Sequence, residues 1–440
     1  MVPAPAAISR GGLEPSPRGF DQFIGAPGFE PGTSPTRTVR ATRLRHAPRG
    51  RDYPRGAARP PPGGRRRYFG GRSGSLTEMP RRLALILALL FSALAPASAS
   101  AYLPEGFIGI SPQNPAGAKD FQLMREAGIE SVRLPMYWAG IEPKVPLGIE
   151  PNWKGFDTEV ELAAEEGIGV LPFVYGSPEW AASDWNVLPV RSSWQRWGWS
   201  RFLREAEDRF GPGGEFWEEH TQLPYLPIRK WEIWNEENIV TFDAYPDPVE
   251  YAKLLRLSGR VLHSRDPGSK VILGGLFGRP LQIPPNVASG DFLQRVYRAK
   301  GVKRYFDGVG LHPYVADAKA MGAQLTNLRR IMRVHHDGAT PIYLTELGWG
   351  SQSGPTRWQR GLWGQAEELS RAFEMLSEHR LAWGVGGVWW FTWTDEGGGC
   401  SFCRSAGLLT ANREAKPSWY RFNTWTGGDP DTVQRARYGE

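Results

Sequence analysis

From residue 106 onward, short apolar runs alternate with stretches whose apolar positions recur every three or four residues. The runs predict strands at Gly106–Ser111, Ser131–Tyr137, Val170–Tyr175, Trp231–Trp234, Lys270–Leu276, Gly308–His312, Ile342–Glu346 and Val388–Thr392. Several are apolar at nearly every position, as parallel strands covered on both faces must be. Helical spacing predicts helices at Ala118–Ala127, Thr158–Glu166, Trp194–Phe210, Pro248–His263, Phe292–Lys300, Gln324–His335 and Gln359–Leu376, with a last one at Pro417–Thr424. Eight such strand–helix units predict an α/β chain folded as one (β/α)8 barrel. A doubly wound sheet would want a glycine-rich phosphate turn after its first strand, and Ser111-Pro112-Gln113-Asn114 is not one.

The first hundred residues break this pattern. Residues 1–78 contain 12 Pro and 13 Gly and no apolar periodicity, so they cannot bury enough surface to offset the entropy of ordering. We expect a disordered leader arising from a wrongly assigned start. Gly28-Phe29-Glu30-Pro31 back-translates to the reverse complement of a tRNA T-arm pattern. Met79 then opens a secretory signal over 79–101. Arg81 and Arg82 form its charged end, and Leu83 to Leu94 an apolar run too short to span a bilayer. Ala97-Ser98-Ala99 and Ala99-Ser100-Ala101 supply small-residue cleavage sites. The expected mature chain is 102–440, exported to the outside or the cell envelope, with no later segment apolar enough for a membrane span.

Charge follows the same partition. Of 53 basic and 46 acidic residues, the leader takes 14 Arg and 5 acids, and the signal two more Arg. The remaining 37 basic and 41 acidic residues leave the barrel region mildly acidic, which argues against a nucleic-acid partner. Cys400 and Cys403 are the only cysteines. In a cytosolic chain a C-x-x-C pair suggests redox chemistry. In an exported chain, inside the Gly397-Gly398-Gly399 loop, it reads as a local disulfide. Two cysteines are too few for a structural zinc site, and the residues name no metal or cofactor and fix no oligomeric state.

In a barrel of this kind chemistry sits at the C-terminal ends of the strands. The second strand carries Arg133. The fourth ends in Trp234-Asn235-Glu236-Glu237, the sixth in His312-Pro313-Tyr314, the seventh in Thr345-Glu346-Leu347-Gly348-Trp349, and the eighth in Trp393-Thr394-Asp395. Glu236 and Glu346 can therefore face each other across the mouth. Paired carboxyl groups flanking a bond are what glycosidic cleavage needs: one protonates the leaving oxygen and the other attacks the anomeric carbon. The bland readings are a carboxylate at a helix N-terminus for Glu236 and a structural ion pair for Glu346. Glu232 shares strand parity with Glu236 and reads as support beneath the site.

With these motifs in order, and with Arg133-Leu134-Pro135, Gly176-Ser177-Pro178-Glu179-Trp180 and Lys416-Pro417-Ser418-Trp419 beside them, the chain resembles the clan A retaining glycoside hydrolases from about Gly106 to Phe422. Within the clan it is most similar to glycoside hydrolase family 39 and its exopolysaccharide-degrading relatives. The resemblance implies a carbohydrate substrate, Glu236 as general acid/base and Glu346 as nucleophile. Asn235 would hydrogen-bond the sugar 2-hydroxyl, Arg133 and Tyr314 are the candidate donors that keep Glu346 ionised, and His312, at a strand end, is a further substrate-binding candidate. Glu237 departs from the pattern, since relatives commonly carry Pro there. Trp138, Trp180 and Trp393 are the expected stacking platforms, whereas Trp194, Trp197 and Trp199 are assigned mainly to packing. The alternatives are a catalytically inactive barrel that binds polysaccharide, and a transglycosylase acting on envelope polysaccharide with the same residues.

Overall fold

The computed structural model describes residues 103–395 and 400–438. The expected leader and signal segment, and the Gly397–Gly399 loop, lie outside the described residues. Eight parallel strands close into a barrel in sequence order: β1 (Ile108–Ile110), β2 (Ser131–Tyr137), β3 (Gly169–Tyr175), β4 (Lys230–Ile233), β5 (Lys270–Phe277), β6 (Gly308–His312), β7 (Ile342–Leu347) and β8 (Val385–Trp390). β1 pairs with β8 through Ile108↔Val388 and Ile110↔Trp390, which seals the barrel. Closure leaves no strand edge unpaired, so the ladder is satisfied all the way round.

Two apolar layers follow from strand alternation. Outward side chains such as Val132, Leu134, Ile233, Leu273, Val309, Leu344 and Val388 join the buried faces of the surrounding helices in one large core. A separate small cluster holds Leu171, Ile272 and Trp389, with Tyr343 against it. These residues come from β3, β5, β8 and β7, which are not all neighbours, so they can meet only inside the barrel. They form the floor on which the polar residues of the mouth rest.

The helix boundaries show what local pattern misses. The helix expected from Gln324 begins at Ala318, where the Asp317 side chain accepts from the Ala320 N–H as an N-cap. The one expected from Gln359 begins at Leu362 and runs to Trp383, ending on a left-handed Gly384. Residues 350–360 instead fold back on themselves, with Gly350 bridged to Gln359 and Ser353 to Arg360. β8 starts at Val385 and not at Val388, because Gly386 and Gly387 hide its first turn of pleat from an apolar count. Short helices at Trp138–Ile141, Glu215–Glu219 and Thr432–Tyr438 were not anticipated.

Candidate active site

Arg133, buried on β2, organises the mouth. Its Nε donates to Glu232 Oε2 at 2.6 Å, Nη1 to Glu346 Oε1 at 2.7 Å and Nη2 to Asn235 Oδ1 at 2.7 Å. Its guanidinium carbon lies 3.9 Å from the centroid of the Phe173 ring, which supports it from below. One fork thus fixes three acceptors from β4, its following turn and β7, a task that suits a planar guanidinium and not an ammonium. Tyr314, after β6, donates its hydroxyl to Glu346 Oε2. Both carboxylate oxygens of Glu346 are therefore held by donors.

Glu236 has different company. Its Oε1 lies 2.9 Å from His312 Nδ1. His312 Nε2 lies 3.1 Å from Thr345 Oγ1, and that hydroxyl donates to Glu232 Oε1 at 2.9 Å. Glu232 is an acceptor because it pairs with Arg133. The Thr345 proton is thereby committed, so Thr345 must accept from His312 Nε2–H, which leaves Nδ1 as an acceptor. The network then calls for the proton between His312 and Glu236 to belong to Glu236.

Electrostatics agree. Burial pushes Glu236 well above the ordinary carboxyl range, and the charge of Glu346 adds to it. Burial also raises Glu346, but Arg133 and the Tyr314 hydroxyl act against that rise. Burial, followed by the Arg133 charge, drives His312 well below its usual value, so it is a neutral imidazole. The two carboxyls share an environment yet differ in which form the neighbours favour.

The backbone at the end of β4 is unusual as well. Trp234 and Glu236 have φ of 71° and 43°, a left-handed region that non-glycine residues seldom occupy. The Trp234 indole is fully buried and donates to the Phe242 carbonyl at 2.6 Å. That anchor, with Asn238 bonded to Phe277 and Val287, holds the strained turn that presents Glu236. Two glycines of β5 leave room for the neighbours. A Cβ on Gly275 would lie 1.9 Å from His312 Nε2, and one on Gly274 would lie 2.5 Å from Glu237 Oε2.

The structure brings Glu236, Glu346, Asn235, Arg133, His312 and Tyr314 together, with Glu232 beneath them. It also shows Thr345 and Ser111, the latter 3.4 Å from Arg133 Nη1, which had been given no role. Their strand-end positions were the available signal. The aromatic platforms need correction. Trp138 is fully buried, packs on Trp199 and Phe202, and donates to Glu142. Trp393 is 2% exposed and donates to Asp120. Both are core residues, because each indole N–H finds a buried carboxylate and each ring a packed partner. Trp180 is half-buried, bonded to the Glu142 carbonyl. Trp194 and Trp197, assigned to packing, are instead exposed and stack on each other at 4.7 Å, while Trp199 is buried. Cys400 and Cys403 form a disulfide.

Glu236, His312 and Glu346 each offer one possible ligand atom within a 4.8 Å span. The donor set does not suit a metal ion: His312 Nδ1 already faces Glu236, and Arg133 brings a positive charge onto Glu346.

Solved structures share this architecture. A family 39 glycoside hydrolase from the gut symbiont Bacteroides cellulosilyticus WH2 matches with a TM-score of 0.54 and 20% identity, over 74% of this chain and 64% of that one. A monomeric β-xylosidase from Caulobacter crescentus CB15 matches with a TM-score of 0.51 and 17% identity, over 73% and 68%. A glucosidase from Croceicoccus marinus matches with a TM-score of 0.54 and 16% identity, over 74% and 69%. At such identities the likeness is one of fold, and this chain spans somewhat under two thirds of the length of the Bacteroides protein. No family model matches the chain, and no curated protein matches it in sequence.

Proposed function

We propose that this protein hydrolyses O-glycosidic bonds in an oligo- or polysaccharide by a retaining double displacement. The observation that carries the reading is a pair of unlike carboxyls facing each other across the mouth: His312 Nδ1 lies 2.9 Å from Glu236 Oε1 and 3.5 Å from Glu346 Oε2, and an oxygen of each carboxyl lies within 4.8 Å of the other. Such a close approach favours retention, which places the carboxyl groups about 5–5.5 Å apart, over inversion, which leaves roughly 6.5–9.5 Å for a water. In the first step a Glu346 oxygen attacks the anomeric carbon. The glycosidic C–O bond breaks, and the Glu236 proton passes to the leaving oxygen. In the second, Glu236 takes a proton from water, the water oxygen attacks the same carbon, and the ester to Glu346 breaks. Asn235, oriented by Arg133, offers its amide N–H to the sugar 2-hydroxyl. Family 39 and β-xylosidase matches, at the level of fold, support the same chemistry. The disulfide favours an oxidising compartment, in keeping with export from Met79. The test is a glycan-library screen with product configuration followed by NMR. Retention of the anomeric configuration is expected, and inversion would replace the mechanism.

A further inference from the structure

Tyr314, whose hydroxyl holds Glu346, is seated apart from the main core. Its ring belongs to a small apolar cluster with Phe391, Phe402, Cys403 and Ala406, against which Phe277, Trp358 and Cys400 pack. Three of the five buried members, Phe402, Cys403 and Ala406, come from one short segment after β8. The Phe402 ring lies 5.1 Å from that of Tyr314, closer than Phe277 at 5.7 Å, His312 at 6.0 Å or Phe391 at 6.1 Å. The seat of the Tyr314 ring is therefore built largely by the loop that carries the two cysteines.

Phe402 is fixed from both sides. After it, the Ser405 N–H and hydroxyl both donate to its carbonyl, at 3.0 and 3.2 Å. The Ser405 carbonyl in turn accepts from the Ser351 N–H at 2.7 Å and from Lys416 Nζ at 3.1 Å. Before it, the chain is closed by the Cys400–Cys403 disulfide, and the Cys403 N–H points at Cys400 Sγ at 3.0 Å. Phe402 lies inside that closed loop, which removes most alternative paths for its backbone. The segment after β7 leaves space for it: a Cβ on Gly350 would lie 3.1 Å from Phe402 Cβ.

We propose that the Cys400–Cys403 loop is a positioning element of the active site: the disulfide seats Phe402 against Tyr314, and so aims the Tyr314 hydroxyl at Glu346. A hydrogen bond weakens steeply as its angle departs from linear, so a Tyr314 ring free to tilt loses much of its hold on the carboxylate. Side chains in direct contact with a reacting group keep their geometry only when a second layer locks them. Phe402 supplies that layer, and acts through Tyr314 without touching Glu346 itself. The consequence for turnover rests on the hydrolase reading above; the positioning can be measured without it.

The test follows the titration of the Glu346 carboxyl carbon by NMR in the full chain, labelled at the glutamate carboxyl carbons and assigned by its loss in Glu346→Gln. Burial raises this group, and Arg133 and the Tyr314 hydroxyl oppose the rise. Loss of the Tyr314 bond should therefore move the titration to higher pH. We expect a rise of about one pH unit in Tyr314→Phe, the worth of one charge-assisted bond, and about half of that in Phe402→Ala and in Cys400→Ser combined with Cys403→Ser. Phe402→Leu, which keeps an apolar side chain on the ring, should titrate close to wild type. In a Tyr314→Phe background neither the Phe402 nor the cysteine substitutions should add a further shift. The acid limb of kcat/KM on a 4-nitrophenyl glycoside should move with the titration. A titration unmoved by Phe402→Ala, or moved equally with and without the Tyr314 hydroxyl, overturns the positioning. A shift in Phe402→Ala with none in the cysteine variant overturns the part given to the disulfide. The expected shifts in a protein that cleaves no glycan uphold the positioning and remove the hydrolase reading.

Discussion

Arg133 Nη1 donates to Glu346 Oε1 at 2.7 Å while the Tyr314 hydroxyl donates to the other oxygen, so both oxygens of Glu346 are held by donors. Glu346→Ala should abolish turnover on every substrate, because no other group there can form the ester. Added azide should restore part of the activity by attacking from the vacated side. NMR of the product should then show a glycosyl azide of inverted configuration. Wild-type turnover in this variant would mean that Glu346 is not the nucleophile.

The Glu236–His312–Thr345–Glu232 chain gives a prediction about pH. The reaction needs Glu236 protonated, so rate should fall as pH rises through its elevated pKa. A neutral His312 that accepts at Nδ1 favours the protonated form of Glu236 and helps keep that pKa high. Thr345→Val keeps the shape but removes the oxygen that accepts from Nε2–H. The imidazole is then free to carry its proton on Nδ1 and donate to ionised Glu236. The alkaline limb of the kcat/KM profile should move to lower pH by about one unit, the size of one such hydrogen bond. An unmoved limb would mean that the tautomer assignment is wrong. Glu236→Ala should lose the limb altogether on aryl glycosides with acidic leaving groups, which need little protonation.

Glu237 is fully buried beside the acid/base, and neither of its carboxyl oxygens has a hydrogen-bond partner. Burial pushes it well above the ordinary value of 4.5. A carboxyl whose folded pKa is raised is bound to its proton more tightly in the native state than in the unfolded one. Its contribution is intact below about pH 4.5 and is lost progressively as pH rises from there toward the folded value. Glu237→Gln has no such loss. Denaturant curves at pH 4.5 and 8 should therefore show the stability difference moving in favour of the variant as pH rises. A difference that stays constant with pH would mean that Glu237 is satisfied by groups other than those seen here.

The barrel was legible because its strands carry their own signal: buried on both faces, they read as apolar runs, and seven of the eight begin within one or two residues of expectation. β8 lost its start to Gly386 and Gly387, which have no side chain to register in an apolar count. The polar residues of the site were legible for a related reason, since acids, arginine and histidine at strand ends stand out against such runs. What the chain order did not carry was which way each indole points. Trp138 and Trp194 look alike in sequence. One is fixed in the core by Glu142 and Phe202, and the other is left outside by the turn of its helix. The proton order through Thr345 was equally hidden, since it depends on Glu232 being tied to Arg133 across the barrel floor.

Gly275 offers the sharpest separation of packing from chemistry. A methyl group there would lie 1.9 Å from His312 Nε2 and 2.5 Å from its Cε1. His312 cannot retreat, because it is buried and held between Glu236 and Thr345. Gly275→Ala should cost about 1–3 kcal/mol through overpacking and lower kcat/KM by about a hundredfold through displacement of the imidazole and Glu236. Gly155→Ala is the control: it lies in the helix Lys154–Glu165 with nothing within 4 Å of the new methyl. There stability should hold or rise by roughly 0.5–1 kcal/mol from helix propensity. Combining Gly275→Ala with His312→Ala empties the space the methyl needs. The double variant should lose less stability than the sum of its parts while remaining inactive. Simple additivity in thermal or denaturant unfolding would place the clash elsewhere and remove Gly275 from the account of the site.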